Sequence, residues 1–143
     1  MNEELRVVQF GLGPIGIEAA KAILEKSKRG QLKLVGAIEI DPSKVGRDLS
    51  EVLCLKEKLN IKVSDKAEDV LRFTRPHVVV HTTSSFLEKI YPQIELCVKS
   101  GVHVVSSAEE LFFPYDRHPR LSNLLDSLAK KHKVVVLGTG VNP

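Results

Sequence analysis

The chain alternates between short apolar runs and longer segments in which apolar residues recur every three or four positions. Short runs are typical of strands covered on both faces, and the longer segments are typical of helices that bury one side. The pattern predicts six strands, at 5–10, 32–40, 61–63, 77–81, 102–106 and 134–137. It predicts helices at 14–27, 48–55, after a capping Asp65, at 86–99 and at 121–132. Strands that alternate with helices predict an α/β fold in three layers, with a doubly wound parallel sheet of about six strands.

The stretch between the first strand and the first helix carries a glycine motif. It reads Gly11-Leu12-Gly13-Pro14-Ile15-Gly16, which has the spacing Gly-x-Gly-x-x-Gly. In such a turn the first glycine allows a sharp bend, the second admits a pyrophosphate to the backbone, and the third lets the helix pack closely. The N–H groups of the first helical turn then face the phosphates. Residues 11–16 therefore predict a dinucleotide site of the Rossmann type, with a plain glycine turn as the alternative.

Acidic residues follow the second strand at the distance where such sites bind the adenosine ribose. Glu39, more than 20 residues after the glycines, is the candidate for the ribose hydroxyls, whereas Asp41 before Pro42 is typical of a turn. A carboxylate there would repel a 2′-phosphate, so NAD is favoured over NADP. Lys44 and Arg47 follow closely and could hold a 2′-phosphate, which leaves use of both cofactors open.

Polar residues also follow the later strands, whose carboxyl ends would meet at the same edge of the sheet. After the fourth strand, Thr82 and Thr83 are candidates for contacts with the cofactor, and Ser84 or Ser85 is predicted to cap the next helix. His81 could act as an acid or base, but a structural role is favoured for a single histidine at a strand end.

The ends of the fifth and sixth strands could line a nicotinamide pocket. Ser107 and Glu109 are the candidates after the fifth strand, and residues 138–143 follow the sixth. The pair Glu109 and Glu110 could bind an amine-bearing substrate, although exposed loop acids are the commoner interpretation.

Composition and charge narrow the class of protein. A length of 143 residues, 43% of them apolar and 27% charged, is typical of one globular domain. The net charge is only +3, and the basic clusters at 26–29 and 130–133 lie at predicted helix ends, so no nucleic-acid partner is expected. Cys54 and Cys97 lack metal-type spacing. We expect reduced thiols, no metal, no leader and no membrane-spanning segment, and therefore a cytoplasmic protein.

On these motifs the chain resembles the N-terminal cofactor domain of the dihydrodipicolinate reductase-like dehydrogenases, most closely their 2,4-diaminopentanoate dehydrogenase branch. The segments that carry the resemblance are 8–16, 35–38, 81–86, 104–110 and 138–143. The resemblance implies NAD or NADP as cofactor and hydride exchange with an imine carbon. It also implies oxidative deamination of a diamino acid such as 2,4-diaminopentanoate.

Members of that family continue into a second domain with most substrate contacts and the oligomer interface. We therefore expect residues 1–143 to be the NAD(P)-binding domain, with the substrate domain and the catalytic residues absent from this chain. The longer protein is expected to be a homo-oligomer with a small amino-acid-like substrate, and this chain alone to bind dinucleotide with little or no turnover. The alternatives are the cofactor domain of a dihydrodipicolinate reductase of lysine biosynthesis and a stand-alone nucleotide-sensing regulatory domain.

Overall fold

The computed structural model describes residues 4–140, whose six strands form one sheet in the order β3-β2-β1-β4-β5-β6. The strands are β1 (Leu5–Phe10), β2 (Leu32–Ile38), β3 (Val63–Ser64), β4 (Val78–His81), β5 (His103–Ser106) and β6 (Val136–Gly138). The helices are α1 (Pro14–Ser27), α2 (Leu49–Val52), α3 (Ala67–Thr74), α4 (Leu87–Lys99) and α5 (Pro119–His132), with one 3-10 turn at Glu109–Leu111. All neighbouring strands are parallel, and the order reverses at β1, which confirms the predicted doubly wound sheet.

The core lies in two layers, one on each face of the sheet. Val8 and Phe10 of β1 pack with residues of α3, α4 and α5, while Val7 packs with residues of α1 and with Leu49 of α2. Successive strand residues point to opposite faces, so both faces of β1 are apolar. This burial explains why the strands appear in the sequence as short apolar runs, and it confirms the predicted three layers.

The predicted end of the second strand is wrong by two residues. β2 ends at Ile38 rather than Ile40, because the Glu39 carboxylate bonds to the backbone N–H groups of the two residues that follow it. Glu39 Oε2 accepts the N–H groups of Ile40 (2.7 Å) and Asp41 (3.0 Å), which a continuing strand would have given to a neighbour.

One carboxylate also changes the segment between β2 and β3. Asp48 caps α2 by accepting the N–H of Ser50, and it accepts those of Leu59 and Ile61, both at 3.0 Å. The Ser50 hydroxyl also donates to this carboxylate. That bond, followed by the backbone bonds, lowers the pKa of Asp48 to about 2. Because the chain is folded around Asp48, α2 has four residues instead of the predicted eight, and β3 begins only at Val63.

Two predicted helix caps are wrong. Asp65 does not cap α3: Lys66 precedes the helix, and its N–H bonds to Ser64 Oγ at 3.0 Å. Neither Ser84 nor Ser85 caps α4, because the N–H of Leu87 is bonded to Glu110, which lies 23 residues further along the chain.

Three further elements differ in detail from the prediction. The helix predicted at 86–99 begins at Leu87 and is continuous to Lys99, with Pro92 inside it. The last helix begins at Pro119 rather than Leu121, and β6 covers Val136–Gly138 rather than residues 134–137.

Candidate functional site

The turn between β1 and α1 uses its three glycines for different reasons. Gly11 has a φ of +105°, and a Cβ there would lie 2.7 Å from the carbonyl oxygen of Thr82. A Cβ on Gly16 would lie 2.0 Å from the carbonyl oxygen of Gly11. Gly13 has an ordinary φ of −72°, and a Cβ there would meet nothing within 4 Å. The fold therefore requires glycine at positions 11 and 16, whereas at position 13 it keeps open space above the backbone.

The first turn of α1 leaves backbone donors without intrahelical partners. Pro14 is the first helical residue and has no N–H, and the N–H of Ile17 bonds to the carbonyl of Gly13 at 2.9 Å. The N–H groups of Ile15 and Gly16 therefore have no intrahelical acceptor. The turn contains no acidic residue, and no side chain in the described part of the chain caps it. The positive end of the helix dipole is thus available to an anion.

Two charged side chains fix the peptide groups of Leu12 inside this turn. Glu39 Oε1 accepts the Leu12 N–H, and Lys44 Nζ donates to the Leu12 carbonyl, both at 2.7 Å. Lys44 also lies 3.8 Å from the Asp41 carboxylate. Glu39 therefore lies beside the glycines, as predicted. Lys44, which was expected to be able to hold a 2′-phosphate, instead bonds to the backbone of the glycine turn.

A buried amide beneath the turn was missed as a site residue. Gln9 is fully buried, and its Nε2 donates to the carbonyl of Gly11 (3.0 Å) and to Thr82 Oγ1 (3.1 Å). Thr82 Oγ1 in turn donates to the Gly11 carbonyl at 3.1 Å. Thr82 thus supports the turn from β4. The sequence did carry a signal for Gln9, which is a lone amide in an apolar strand two positions before the first glycine.

His81 is a structural residue in this arrangement. It is fully buried, with Nδ1 2.9 Å from Ser106 Oγ and Nε2 2.6 Å from Gln93 Oε1. Gln93 Oε1 can only accept, so we infer that Nε2 carries the proton and donates to it. In the neutral ring Nδ1 then accepts from the Ser106 hydroxyl, whose oxygen also accepts the Ala108 N–H. Burial lowers the pKa of His81, which is therefore neutral at pH 7. The imidazole joins β4 to β5 and α4, in agreement with the structural role favoured from the sequence.

A cavity of about 240 Å³ lies at the carboxyl edge of the sheet, between the ends of β1 and β2, the β4–α4 loop and α4. Its apolar lining is formed by Phe10, Ile38 and Ile40. Five predicted site residues also line it, namely Gly11, Gly13, Glu39, Thr82 and Thr83. The remaining lining residues are Ser84, Lys89 and Gln93. Lys89 and Gln93 were missed, because one lysine and one glutamine on a helix carry no motif. Leu12, Pro14, Ile15 and Gly16 form the adjoining turn and do not line the cavity.

The predicted residues after β5 lie apart from the cavity. Ser107 is half-buried and donates its N–H to the carbonyl of His81 at 2.9 Å, and Glu109 is exposed in the 3-10 turn. The end of β6 packs against this segment, since a Cβ on Gly140 would lie 2.1 Å from the Ser107 carbonyl oxygen. Residues 141–143, part of the predicted segment after the sixth strand, lie outside the described residues.

Glu110 is not available to bind a substrate amine. Its side chain is only 13% exposed, and its Oε1 accepts the Leu87 N–H at 2.7 Å. Arg117 and His118 contact the same carboxylate at 3.2 and 3.0 Å. These bonds, led by that from Leu87, lower the pKa of Glu110. Glu110 is therefore neither an exposed loop acid nor a substrate ligand, and it joins the 3-10 turn to α4.

The described residues provide no metal site and no membrane helix. Within residues 4–140, no group of three or more His, Cys, Asp or Glu side chains could hold a metal ion. None of the helices described here is long and apolar enough to cross a bilayer.

The strand order, the glycine turn and the edge cavity together define a Rossmann-type doubly wound domain. Residues 5–108 match the sequence family described as dihydrodipicolinate reductase, N-terminus. The chain belongs to this family, as its motifs predicted.

Individual relatives agree with this membership. The chain is 32% identical, over 99% of its length, to 2,4-diaminopentanoate dehydrogenase of Acetoanaerobium sticklandii, of which it covers 39%. It is 26% identical, over 69% of its length, to 4-hydroxy-tetrahydrodipicolinate reductase of Mastigocladus laminosus, of which it covers 36%. The structure of amine dehydrogenase from Mycobacterium smegmatis matches 96% of the chain with a TM-score of 0.90 and 36% identity, and 39% of that protein is covered. The chain thus spans about two fifths of the length of these relatives.

Proposed function

We propose that the domain binds NAD(H) or NADP(H) across the carboxyl edge of the sheet, with the pyrophosphate above Gly13. The open space at Gly13 carries this proposal. Gly11 and Gly16 are explained by backbone contacts within the protein, but nothing in the described fold requires a missing side chain at position 13. Free N–H groups and the helix dipole next to that space suit a diphosphate.

The adenosine half would occupy the cavity. Its apolar lining, Phe10, Ile38 and Ile40, suits the faces of an adenine ring, and the Gln93 amide suits its polar edge. Glu39 would accept hydrogen bonds from the ribose, because Oε1 accepts only one N–H and carboxylate oxygens take more than one. Its negative charge favours NAD over NADP.

The nicotinamide half would extend towards β5. Thr83 would contact the cofactor from the β4–α4 loop, and Ser107 and Glu109 from the end of β5. This direction follows the rule that ligands of doubly wound sheets lie across the carboxyl ends of the strands.

We further propose that the domain is the cofactor half of an oxidoreductase acting on CH–NH₂ or imine groups, with oxidative deamination of a diamino acid as the favoured reaction. When bound, nicotinamide supplies the hydride chemistry, and this chain holds and orients it. Similarity to proteins named 2,4-diaminopentanoate dehydrogenase and amine dehydrogenase supports the class of substrate. Since those proteins are about two and a half times as long, the substrate domain, the catalytic residues and any oligomer interface would lie outside residues 1–143.

Calorimetric titration of the 143-residue chain with NADH and NADPH tests the cofactor assignment. We expect both to bind, with NADH tighter. Glu39→Gln keeps an acceptor for the Leu12 N–H but removes the charge, so it should reduce the preference for NADH. Glu68→Ala, at an exposed position of α3, should not. Failure of both dinucleotides to bind would contradict the proposal, and an unchanged preference in Glu39→Gln would contradict the role of Glu39.

A steady-state assay with NAD and 2,4-diaminopentanoate tests whether catalysis requires residues outside residues 1–143. The chain alone should give little or no NADH. Robust turnover would contradict the assignment of the catalytic residues to another domain.

A further inference from the structure

We propose that Lys89 of α4 determines how well this domain accepts a cofactor with a 2′-phosphate. The inference rests on the proposed binding of a nicotinamide dinucleotide and deepens it. Two charged residues, Glu39 and Lys89, line the cavity.

The negative charge of Glu39 is partly compensated by the backbone. Its two carboxylate oxygens accept three N–H groups, from Leu12, Ile40 and Asp41. A carboxylate held in this way still accepts a ribose hydroxyl, but it repels a nearby phosphate less than a free carboxylate would. A single cation in the same cavity would therefore be enough to shift the balance between NAD and NADP.

The two cations expected from the sequence to hold a 2′-phosphate are engaged elsewhere. Lys44 Nζ donates to the Leu12 carbonyl at 2.7 Å, and Arg47 lies 3.8 Å from Glu51. Neither lines the cavity. Lys89 does, and no carboxylate among residues 4–140 forms an ion pair with it.

The position of Lys89 in α4 directs it towards the cavity. Ile90 and Ile94 are fully buried against the sheet, while Lys89 and Gln93, one turn apart, line the cavity. Lys89 also adds nothing to the stability of the helix, because a cation in the first turn is opposed by the dipole. Helix stability therefore does not account for a lysine at position 89, whereas a negatively charged ligand in the cavity does.

An ammonium group suits this task. Lysine is a point charge with three donors on a flexible stem, so it can follow a phosphate without a fixed geometry. The 2′-phosphate is the phosphate expected in this cavity, because Glu39 and Ile40, beside which the ribose would lie, line it together with Lys89. The same ammonium could instead reach the pyrophosphate, and the two possibilities differ in which cofactors depend on Lys89.

The test compares Lys89→Met with Lys99→Met, which removes the same charge from an exposed position at the other end of α4. There Lys99 pairs with Glu95 at 3.4 Å. Dissociation constants are measured for NADH and NADPH, and for 5′-AMP and adenosine 2′,5′-bisphosphate. Lys89→Met should weaken NADPH and the bisphosphate by about tenfold and NADH and 5′-AMP by less than about twofold. Lys89→Arg should retain NADPH binding, and Lys99→Met should change none of the four constants.

Equal weakening of NADH and NADPH would overturn the inference, since it would place Lys89 on the pyrophosphate or on the shape of the cavity. Unchanged NADPH binding in Lys89→Met would overturn it as well, while leaving the proposed function intact. A wild-type chain that binds neither dinucleotide would overturn the proposed function and this inference together, so the two failures are distinguishable.

Discussion

The centre of the carboxyl edge of the sheet, at the β1–α1 turn, and its β6 end are held in different ways. At the β1–α1 turn, both backbone groups of Leu12 are bonded to charged side chains, and the Gly11 carbonyl accepts two further hydrogen bonds. At the β6 end, Val135 and Leu137 are 62% and 52% exposed, and the neighbouring segment 112–115 carries three exposed aromatic residues. The backbone of Gly11 and Leu12 is thus held by side-chain hydrogen bonds, while Val135 and Leu137 at the β6 end are largely exposed.

The contrast separates a preorganised binding site from a simple edge of the fold. A rigid turn presents N–H groups to a ligand without the entropic cost of ordering them at binding. The β6 end depends instead on close backbone packing, with Gly138 and Gly140 against Leu111 and Ser107. Substitutions at the β1–α1 turn and at β6 should therefore differ in the size of their effects and in the property that they change.

The largest effect is expected from Gly16→Ala. The new Cβ would lie 2.0 Å from the Gly11 carbonyl oxygen, and Gln9 and Thr82 hold that carbonyl in place. Overpacking at a site that cannot move should lower the free energy of unfolding by at least about 3 kcal/mol. Urea denaturation followed by circular dichroism measures it, and a loss below about 1 kcal/mol would show that the turn is not rigid.

Gly138→Ala applies the same test to the end of β6. Its Cβ would lie 2.3 Å from the Leu111 carbonyl oxygen, but β6 is an edge strand and can shift. A loss of about 2 kcal/mol is expected, smaller than that for Gly16→Ala in the same denaturation experiment. The reverse order of the two losses would contradict the comparison.

Glu110→Ala removes the carboxylate that joins the 3-10 turn to α4. Because it leaves the Leu87 N–H uncapped, we expect a loss of about 1 kcal/mol at pH 7, and less for Glu110→Gln, which keeps an acceptor. The pKa of Glu110 is lowered in the folded state, so this stabilisation is full above its ordinary value of 4.5 and is lost as the pH falls through the folded value. Urea midpoints measured from pH 7 to pH 3 should therefore converge for wild type and Glu110→Ala. A constant difference would contradict the stabilising role of the ionised Glu110 carboxylate.

Lys44→Met should have the smallest effect. Lys44 supports the Leu12 carbonyl rather than a ligand, so NADH and NADPH should both weaken by about threefold, without a change in preference. Titration calorimetry beside Lys62→Met, an exposed lysine outside the cavity, measures this change. A selective loss of NADPH would instead assign the 2′-phosphate to Lys44.

The parts of the fold and site that the sequence predicts are those set by local chemistry. The glycine spacing, the acid after β2 and the threonines after β4 are close to the strands that position them. Five of the predicted site residues therefore line one cavity.

The parts that the sequence misses depend on contacts between distant segments. Glu110 caps α4 from 23 residues away, and Asp48 shortens α2 by accepting N–H groups 11 and 13 residues further on. Lys89 and Gln93 become cavity residues only because Ile90 and Ile94 orient α4 on the sheet. No local pattern encodes such pairings.

Gly13→Val tests the central claim most directly, because position 13 has ordinary backbone geometry and open space around it. The account predicts a free energy of unfolding within about 1 kcal/mol of wild type, since only a modest change at the N-cap is expected. It predicts that NADH and NADPH affinity, measured by calorimetry on the same folded sample, falls by at least about a hundredfold because the side chain fills the place of the pyrophosphate. A folded Gly13→Val chain that binds both dinucleotides as tightly as wild type would contradict it.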